Sequence, residues 1–500
     1  MKYTKIAVAC GLALAAMSAQ ADSVSVPAGT KVIFLSGASA PDSFLADIAS
    51  SMMTNVTAIR SNDAGILHRA YLGKAADGIP GVSVGTDILF IKRSKGGSVY
   101  GVDPIARAQR IETLDLNNCV AGSAPWTWSC GTKGIDPGVT GHETVANTGL
   151  VADFGVSDVE PALFQEPYNT ENDQPALSAA ELGVLTNAPV NQIMMGIVAT
   201  NAVSASTSIS RAQYGAMLAG RLDTWQQVDG STDPVVVCRR VNGSGTQTSY
   251  NWFFSGFPCN SASGGFAGTP PANASDSFGF DGEHAGTSAD PFIIDPTAGR
   301  TIIENSGSGD VRNCLKAAQN GTDFTTTGAF GNKYKVLFSG VGGPSKAIGV
   351  LSLDSYNNAN ADGKYSFRHL DGAGTFNGAD QSSSVGATGI APSKQNLLNG
   401  KYDFVVELSV QARSGQVTNV HGDVVAPMTA DAVKNSFYAE FVKRAGSTKY
   451  TGNDGATSVT VPNAYASLPQ YTSHATKGDY VTKYSRDGNT CSPLVYKPAL

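Results

Sequence analysis

The sequence predicts an α/β chain of two domains, each a mixed, mainly parallel sheet flanked by helices, with a hinge between them. Three observations carry this. Apolar, β-branched runs pass through Gly/Ser-rich turns into helical spacing at 31–53 and again at 235–254, the grammar of a parallel sheet layered with helices. A mature length of about 480 residues exceeds what one hydrophobic core organises. The run from Pro189 to Ala202 is apolar with little polar alternation, as in a strand buried on both faces or passing between domains.

Taken in order, Met1 to Ala21 reads as a secretory signal: Lys2 and Lys5, then the apolar run Ile6 to Met17, then the small-residue cleavage site Ala19-Gln20-Ala21. Cys10 is poorly placed for lipidation, because the apolar run before it is too short and continues beyond it. Lys31 to Leu35 is a compact strand, and Asp42 to Met53 has helical spacing in Phe44, Leu45, Ile48 and Met52. Asp87 to Ile91 is a strand, and the Gly-Ser loop Lys92 to Ser98 opens a helix near Val102 to Ile111. Residues 112–148 lack sustained periodicity and read as an irregular loop stapled by cysteines, holding Trp126 and Trp128. Those tryptophans either overhang a ligand's organic substituent or form the small core of the loop. Leu150 to Asp158 is a strand ending in a polar pair. Ser210 to Val228 has helical spacing in Tyr214, Met217, Leu218 and Leu222, and residues 260–290 are a Gly/Ser/Ala/Pro-rich surface insertion. A Ser306 to Asp310 turn caps a helix at Val311 to Asn320, Ala347 to Leu353 and Tyr402 to Leu408 are strands, and Thr429 to Arg444 is an amphipathic helix.

The formal charge of −6 falls by two, to −8, once Lys2 and Lys5 leave with the leader, which argues against a nucleic-acid or anionic-membrane partner. No stretch after the leader approaches the roughly 18 apolar residues of a membrane span. Six cysteines remain in an exported chain, an even count that favours disulfides, though six cysteines allow fifteen connectivities. Sequence proximity pairs Cys119 with Cys130 and Cys238 with Cys259, leaving Cys314 for Cys491.

The chemistry concentrates at Cys238 to Ser249. A strand, a glycine-rich turn and a helix start there point free N–H groups and the positive end of a helix dipole at one spot, where Ser244 and Thr246 add hydroxyls and Arg240 a planar charged fork. Such a cradle suits a small tetrahedral oxyanion. Ser36 to Pro41 before the first helix, and Leu150 to Asp158, are a second and a third candidate of the same kind.

Together these segments resemble the phosphate-binding proteins of bacterial phosphate ABC transporters and the related DING-type secreted proteins. Gly37-Ala38-Ser39-Ala40-Pro41, Asp153-Phe154-Gly155-Val156-Ser157-Asp158 and Arg240-Val241-Asn242-Gly243-Ser244-Gly245-Thr246 compare with that family's phosphate loops. Ala219 to Trp225 and Lys346 to Val350 compare with its scaffold segments, in the right order. The resemblance implies the type 2 periplasmic-binding-protein fold, with one discontinuous domain at 22–190 plus 366–500 and a second at 191–365. It implies that Ser39, Ala40, Asp158, Arg240, Ser244, Gly245 and Thr246 contact phosphate, with Ser98 or Ser94 supplying the remaining serine. Asp158 would be the discriminator, accepting a hydrogen bond from protonated phosphate and repelling ionised sulfate. Three departures stand out: Asn242 where the family has aspartate, Ala40 where it has a bulky aromatic, and long insertions near 112–148 and 260–300.

The expected function is therefore an exported, periplasmic or secreted solute-binding protein for phosphate or a related oxyanion, with an ABC transporter permease as the implied partner and no cofactor. Some secreted relatives of that family are described as alkaline phosphatases, so catalysis is the rival reading. Against it, the six histidines are scattered, and neither a His-Glu-x-x-His nor a Gly-x-Ser-x-Gly motif is present. The third reading is an extracellular interaction protein that kept the fold and lost the ligand.

Overall fold

The structure is a computed structural model and describes residues 22–62, 68–144, 146–171, 174–259, 284–328, 331–371, 389–451, 458–460, 464–471 and 480–498, with the short pieces 376–377 and 382–383. Residues 1–21, read above as a secretory signal, and residues 260–283 of the expected insertion lie outside the described residues.

Among the described residues, fourteen strands join into one sheet. They are β1 (Lys31–Gly37), β2 (Met53–Ser61), β3 (Arg69–Ala75), β4 (Asp87–Arg93), β5 (Thr113–Ala121), β6 (Trp128–Lys133), β7 (Phe154–Ser157), β8 (Leu185–Thr200), β9 (Val236–Arg240), β10 (Thr301–Asn305), β11 (Ala347–Ser352), β12 (Tyr365–Phe367), β13 (Val405–Arg413) and β14 (Tyr465–Ser467). The spatial order runs β10-β9-β11-β8-β13-β7-β1-β4-β3-β2-β6-β5, and β12 and β14 also pair with β8. The helices that matter for the site are α1 (Asp42–Ser51), α2 (Arg211–Leu218), α3 (Gly245–Ser255), α4 (Ser308–Asn320) and α5 (Ala432–Gly446).

The sheet is mixed. Parallel pairing surrounds β1, which lies between β4 and β7, and β9, which lies between β10 and β11; β2 and β6 form a further parallel pair. Around β1 and β9 lie the strand–turn–helix units that the sequence patterns mark. Antiparallel pairs come from the hairpin-linked edge strands and from the 16-residue β8. β8 runs antiparallel to β13 over Leu185 to Met194 and to β11 over Met195 to Ala199, so one strand belongs to both halves of the sheet. Its apolar run is explained by burial from Val190 to Thr200. Alternation then divides the core: Ile197 and Ala199 join the larger hydrophobic cluster, and Val198 the smaller one beneath α4.

Helices cover the faces where their apolar stripes demand it. Phe437 and Phe441 of α5 stack on Phe90 of β4 at 5.8 and 6.1 Å, and each such fully buried ring contributes about 1.5–3 kcal/mol. Asp431 caps α5, its side chain accepting from the Val433 and Lys434 amides. On α4, Val311, Cys314, Leu315 and Ala318 face β9 and β11.

Several expectations are corrected. Residues 112–148 are not an irregular loop throughout: β5 and β6 form a hairpin that extends the sheet, with Leu114, Cys119 and Cys130 buried. A bulge between Asp115 and Cys119 carries the polar Asn117 and Asn118, which breaks the alternation that would mark the strand. The helix at 102–111 shrinks to Asp103–Ala106, because Ala108 turns to φ +50° and the chain enters a short strand at Arg110. The helix at 210–228 ends at Leu218, and Gly220 at φ +65° follows it.

Two disulfide pairings are also corrected. Cys119 is bonded to Cys130 across the hairpin, but Cys238 pairs with Cys314, and Cys259 with Cys491. Cys238 points from β9 to the face covered by α4, where Cys314 sits on the helix's buried stripe. The 11 residues of α3 meanwhile carry the chain about 16 Å away before Cys259, at about 1.5 Å per residue. Proximity in sequence therefore misleads.

Candidate functional site

Three chain turns meet at one buried polar cluster. The first is the 3-10 turn Ser98–Gly101 after β4; the second is Ser157-Asp158 at the end of β7; the third is Arg240 to Thr246, where β9 passes into α3. The Val99 amide donates to the Gly243 carbonyl at 2.9 Å, the Asp158 amide to Ser98 Oγ at 3.2 Å, and Thr246 Oγ1 to Asp158 Oδ2 at 3.3 Å. Gly245 lies so close that an added Cβ would sit 2.8 Å from Asp158 Cβ and 2.7 Å from Ser98 Cβ. At the C-terminal end of β1, on the same side of the sheet, Gly37 at φ +121° fits against the Val156 carbonyl where no side chain has room.

α3 starts here because Ser244 takes an extended N-cap conformation and its hydroxyl accepts from the Gln247 amide at 3.4 Å. The first amides of the helix, those of Gly245 and Thr246, have no intrahelical acceptor and face the cluster end of the dipole.

Arg240 is 2 % exposed. Its guanidinium donates to the Ser306 carbonyl at 2.7 Å and Ser308 Oγ at 3.1 Å, and its Nε is buried without a partner. No carboxylate lies within 4.0 Å of it among the described residues, although Asp158, Asp310 and Glu171 act on it from farther away; burial lowers its pKa. The neighbouring Arg239, on the other face of the strand, is directly paired with Glu304. Asp158 is 2 % exposed with Oδ1 unpartnered, and burial pushes its carboxyl up to about 6 against the pull of Arg240. Glu171, whose Oε2 is buried without a partner although the residue as a whole is half-buried, is pushed by desolvation to about 8.

Beside this cluster opens a cavity of about 260 Å³. Ser39, Ala40 and Asp42 at the start of α1 line one side, with Arg69, Ser94 and Lys95; Ser306 to Asp310 at the start of α4 line the other, with Arg312, Ser352 and Asp354. Asp42 is held by Lys92 Nζ at 3.1 Å and by Ser94 Oγ at 2.8 Å. Asp310 caps α4, accepting from the Gly307 amide at 3.1 Å and Ser306 Oγ at 3.0 Å. The guanidinium of Arg69 also lies 5.8 Å over the Trp126 ring, so the disulfide-closed hairpin reaches the cavity rim through that arginine. Trp126 and Trp128 pack against the large core as half-buried side chains.

Of the eight residues named from sequence, the structure brings Ser98, Asp158, Arg240, Ser244, Gly245 and Thr246 together in the cluster. Ser39 and Ala40 line the neighbouring cavity, and the Ala40 carbonyl accepts from Tyr465 Oη at 3.3 Å. Ser94, the alternative to Ser98, is buried against Asp42 and Lys92. Asn242 turns out of the cluster, its Nδ2 donating to the Pro167 carbonyl at 3.4 Å. Sequence reasoning missed Ser308, Arg69, Arg312, Asp354 and Glu171; only Ser308 lay in a turn already marked as a helix start.

No protein-family model and no curated protein matches this chain. Among solved structures, it is 14 % identical to a high-affinity periplasmic phosphate-binding protein, PfluDING, with a TM-score of 0.39 over 85 % of this chain and 88 % of that one. It is 14 % identical to a human phosphate-binding apolipoprotein, with a TM-score of 0.39 over 85 % and 88 % of the two chains. An ABC-type phosphate transport receptor from Vibrio cholerae is 11 % identical, with a TM-score of 0.36 over 82 % and 93 %.

Proposed function

We propose that this chain is an exported solute-binding protein that takes inorganic phosphate, or a related tetrahedral oxyanion, in a cleft between two lobes at 22–190 plus 366–500 and 191–365, for uptake or scavenging. The observation that supports this most is Arg240: a nearly fully buried guanidinium that, among the described residues, contacts only neutral oxygens. A buried charge costs several kcal/mol unless a counter-charge meets it. An oxyanion beside Arg240 would supply that charge, receive a bidentate contact, and meet the first amides of α3 and the hydroxyls of Ser98, Ser244 and Thr246. Ser39 and the Ala40 amide would close the site from α1. Asp158, ionised above about pH 6, would accept a hydrogen bond from protonated phosphate and repel sulfate. The implied downstream partner is an ABC transporter permease. Each proposed step is binding and positioning, with no bond made or broken.

The test is calorimetric titration of the mature, disulfide-intact protein with phosphate and with sulfate from pH 5 to 9. Phosphate binding that rejects sulfate and is lost in Arg240→Met supports the reading. Equal binding of both ions removes Asp158 from its assigned role, and binding of neither overturns the proposal. Turnover of an aryl phosphate in metal-supplemented buffer would favour the phosphatase reading instead.

A further inference from the structure

We infer that the cavity beside Arg240 holds the hydroxyl-bearing organic part of a phosphomonoester, so that the preferred ligand is a polyol or sugar phosphate rather than free phosphate. This rests on the phosphate reading of the Arg240 cluster. The two spaces adjoin: Ser306 and Ser308, the acceptors of the Arg240 guanidinium, are themselves cavity wall. At about 260 Å³ the cavity has room for about nine waters at roughly 30 Å³ each, well beyond the five heavy atoms of one tetrahedral oxyanion.

The lining indicates what fills it. Arg69, Lys95 and Arg312 are matched by Asp42, Asp310 and Asp354, so a second anionic group would gain little net attraction there. Serine hydroxyls make up much of the rest and, among the described residues, no aromatic ring lines the wall, which disfavours a base or an aryl group. A balanced wall of donors and acceptors suits a group that both donates and accepts, and hydroxyls do so. Specific members have capacity to spare. Asp42 is 4 % exposed and its Oδ2 is buried without a partner. Arg69, Arg312 and Asp354 make no ion pair within 4.0 Å among the described residues. Arg69 comes from β3 and Arg312 from α4, so a ligand bridging them would be held from opposite walls.

The experiment titrates the mature protein with inorganic phosphate, glucose 6-phosphate, pyrophosphate and free glucose, and repeats it with Arg312→Met and Asp354→Asn. Glucose 6-phosphate should bind at least 10-fold tighter than phosphate, and each substitution should remove most of that advantage while phosphate affinity changes less than twofold. Circular dichroism checks that each variant folds, and Arg69→Met gives an independent variant from the other wall. Equal or weaker binding of glucose 6-phosphate overturns the inference and leaves the phosphate reading standing. Pyrophosphate binding tighter than glucose 6-phosphate overturns the hydroxyl assignment. Failure of phosphate and glucose 6-phosphate alike overturns both readings.

Discussion

Replacing Asp158 with asparagine tests whether this carboxylate is held against its own stability. Its pKa rises from 3.8 to about 6, with desolvation as the leading cause and the attraction of Arg240 already included. The folded state therefore holds the proton more tightly than the unfolded chain does. Its stabilising effect is complete below pH 3.8 and is lost as pH rises through 6. At about 1.36 kcal/mol per pKa unit the difference amounts to about 3 kcal/mol between acid and neutral pH. Asparagine keeps an oxygen for the Thr246 hydroxyl and carries no charge, so it mimics the protonated acid throughout. Asp158→Asn should be up to about 3 kcal/mol more stable than the parent at pH 7.5, and the gain should largely vanish by pH 4. Asp103 and Asp354, raised to about 7 and 6, titrate in the same window, but the comparison between the two proteins subtracts them. Asp354 also feels the Asp158 charge, which adds a smaller effect of the same sign. Urea denaturation at pH 4, 5.5 and 7.5 in phosphate-free buffer reads the difference. A variant less stable than the parent at pH 7.5, or a gain unchanged down to pH 4, would refute the reasoning.

Other outcomes are expected. Sulfate rejection should weaken as pH falls below about 6, because neutral Asp158 no longer repels a full anion, and competition titrations at pH 5 and 8 check it. Gly245→Ala places a methyl between Ser98 and Asp158 and should cut phosphate affinity about 100-fold with far-UV circular dichroism unchanged; an affinity within threefold of the parent would mean the cluster is not the site. Arg240→Met should abolish phosphate binding without lowering the urea midpoint, since it removes a buried charge that, among the described residues, only neutral groups contact. The Cys238→Ala/Cys314→Ala double variant should lose about 2–4 kcal/mol, and non-reducing peptide mapping of the parent should recover Cys238 joined to Cys314.

Much of this arrangement was legible because it is written locally. A strand, a glycine turn and an N-capping serine lie within one short stretch from Val236 to Gln247; an apolar run locates β8, a glycine–serine turn the start of α4, and helical spacing α5, each to within a few residues. The hairpin at 113–133 escaped because its bulge interrupts the alternation that identifies a strand. The disulfide partners of Cys238 and Cys259 depend on which sheet face each element covers, and sequence separation says nothing of that. The cavity walls were hidden for the same reason: Arg69, Arg312 and Asp354 sit in unremarkable contexts on β3, on α4 and after β11. They become neighbours only through the sheet order and the handover of β8 between two partners.

The two long-range disulfides have a consequence for the covalent integrity of the chain. Cys238–Cys314 spans every peptide bond between those residues, and Cys259–Cys491 spans every bond between its own pair. A single protease cut anywhere from 260 to 313 is therefore bridged twice. Such a nicked molecule would migrate as one species until a reductant is added, and would separate into two fragments only then, so the long insertion can be clipped without releasing either wall of the site.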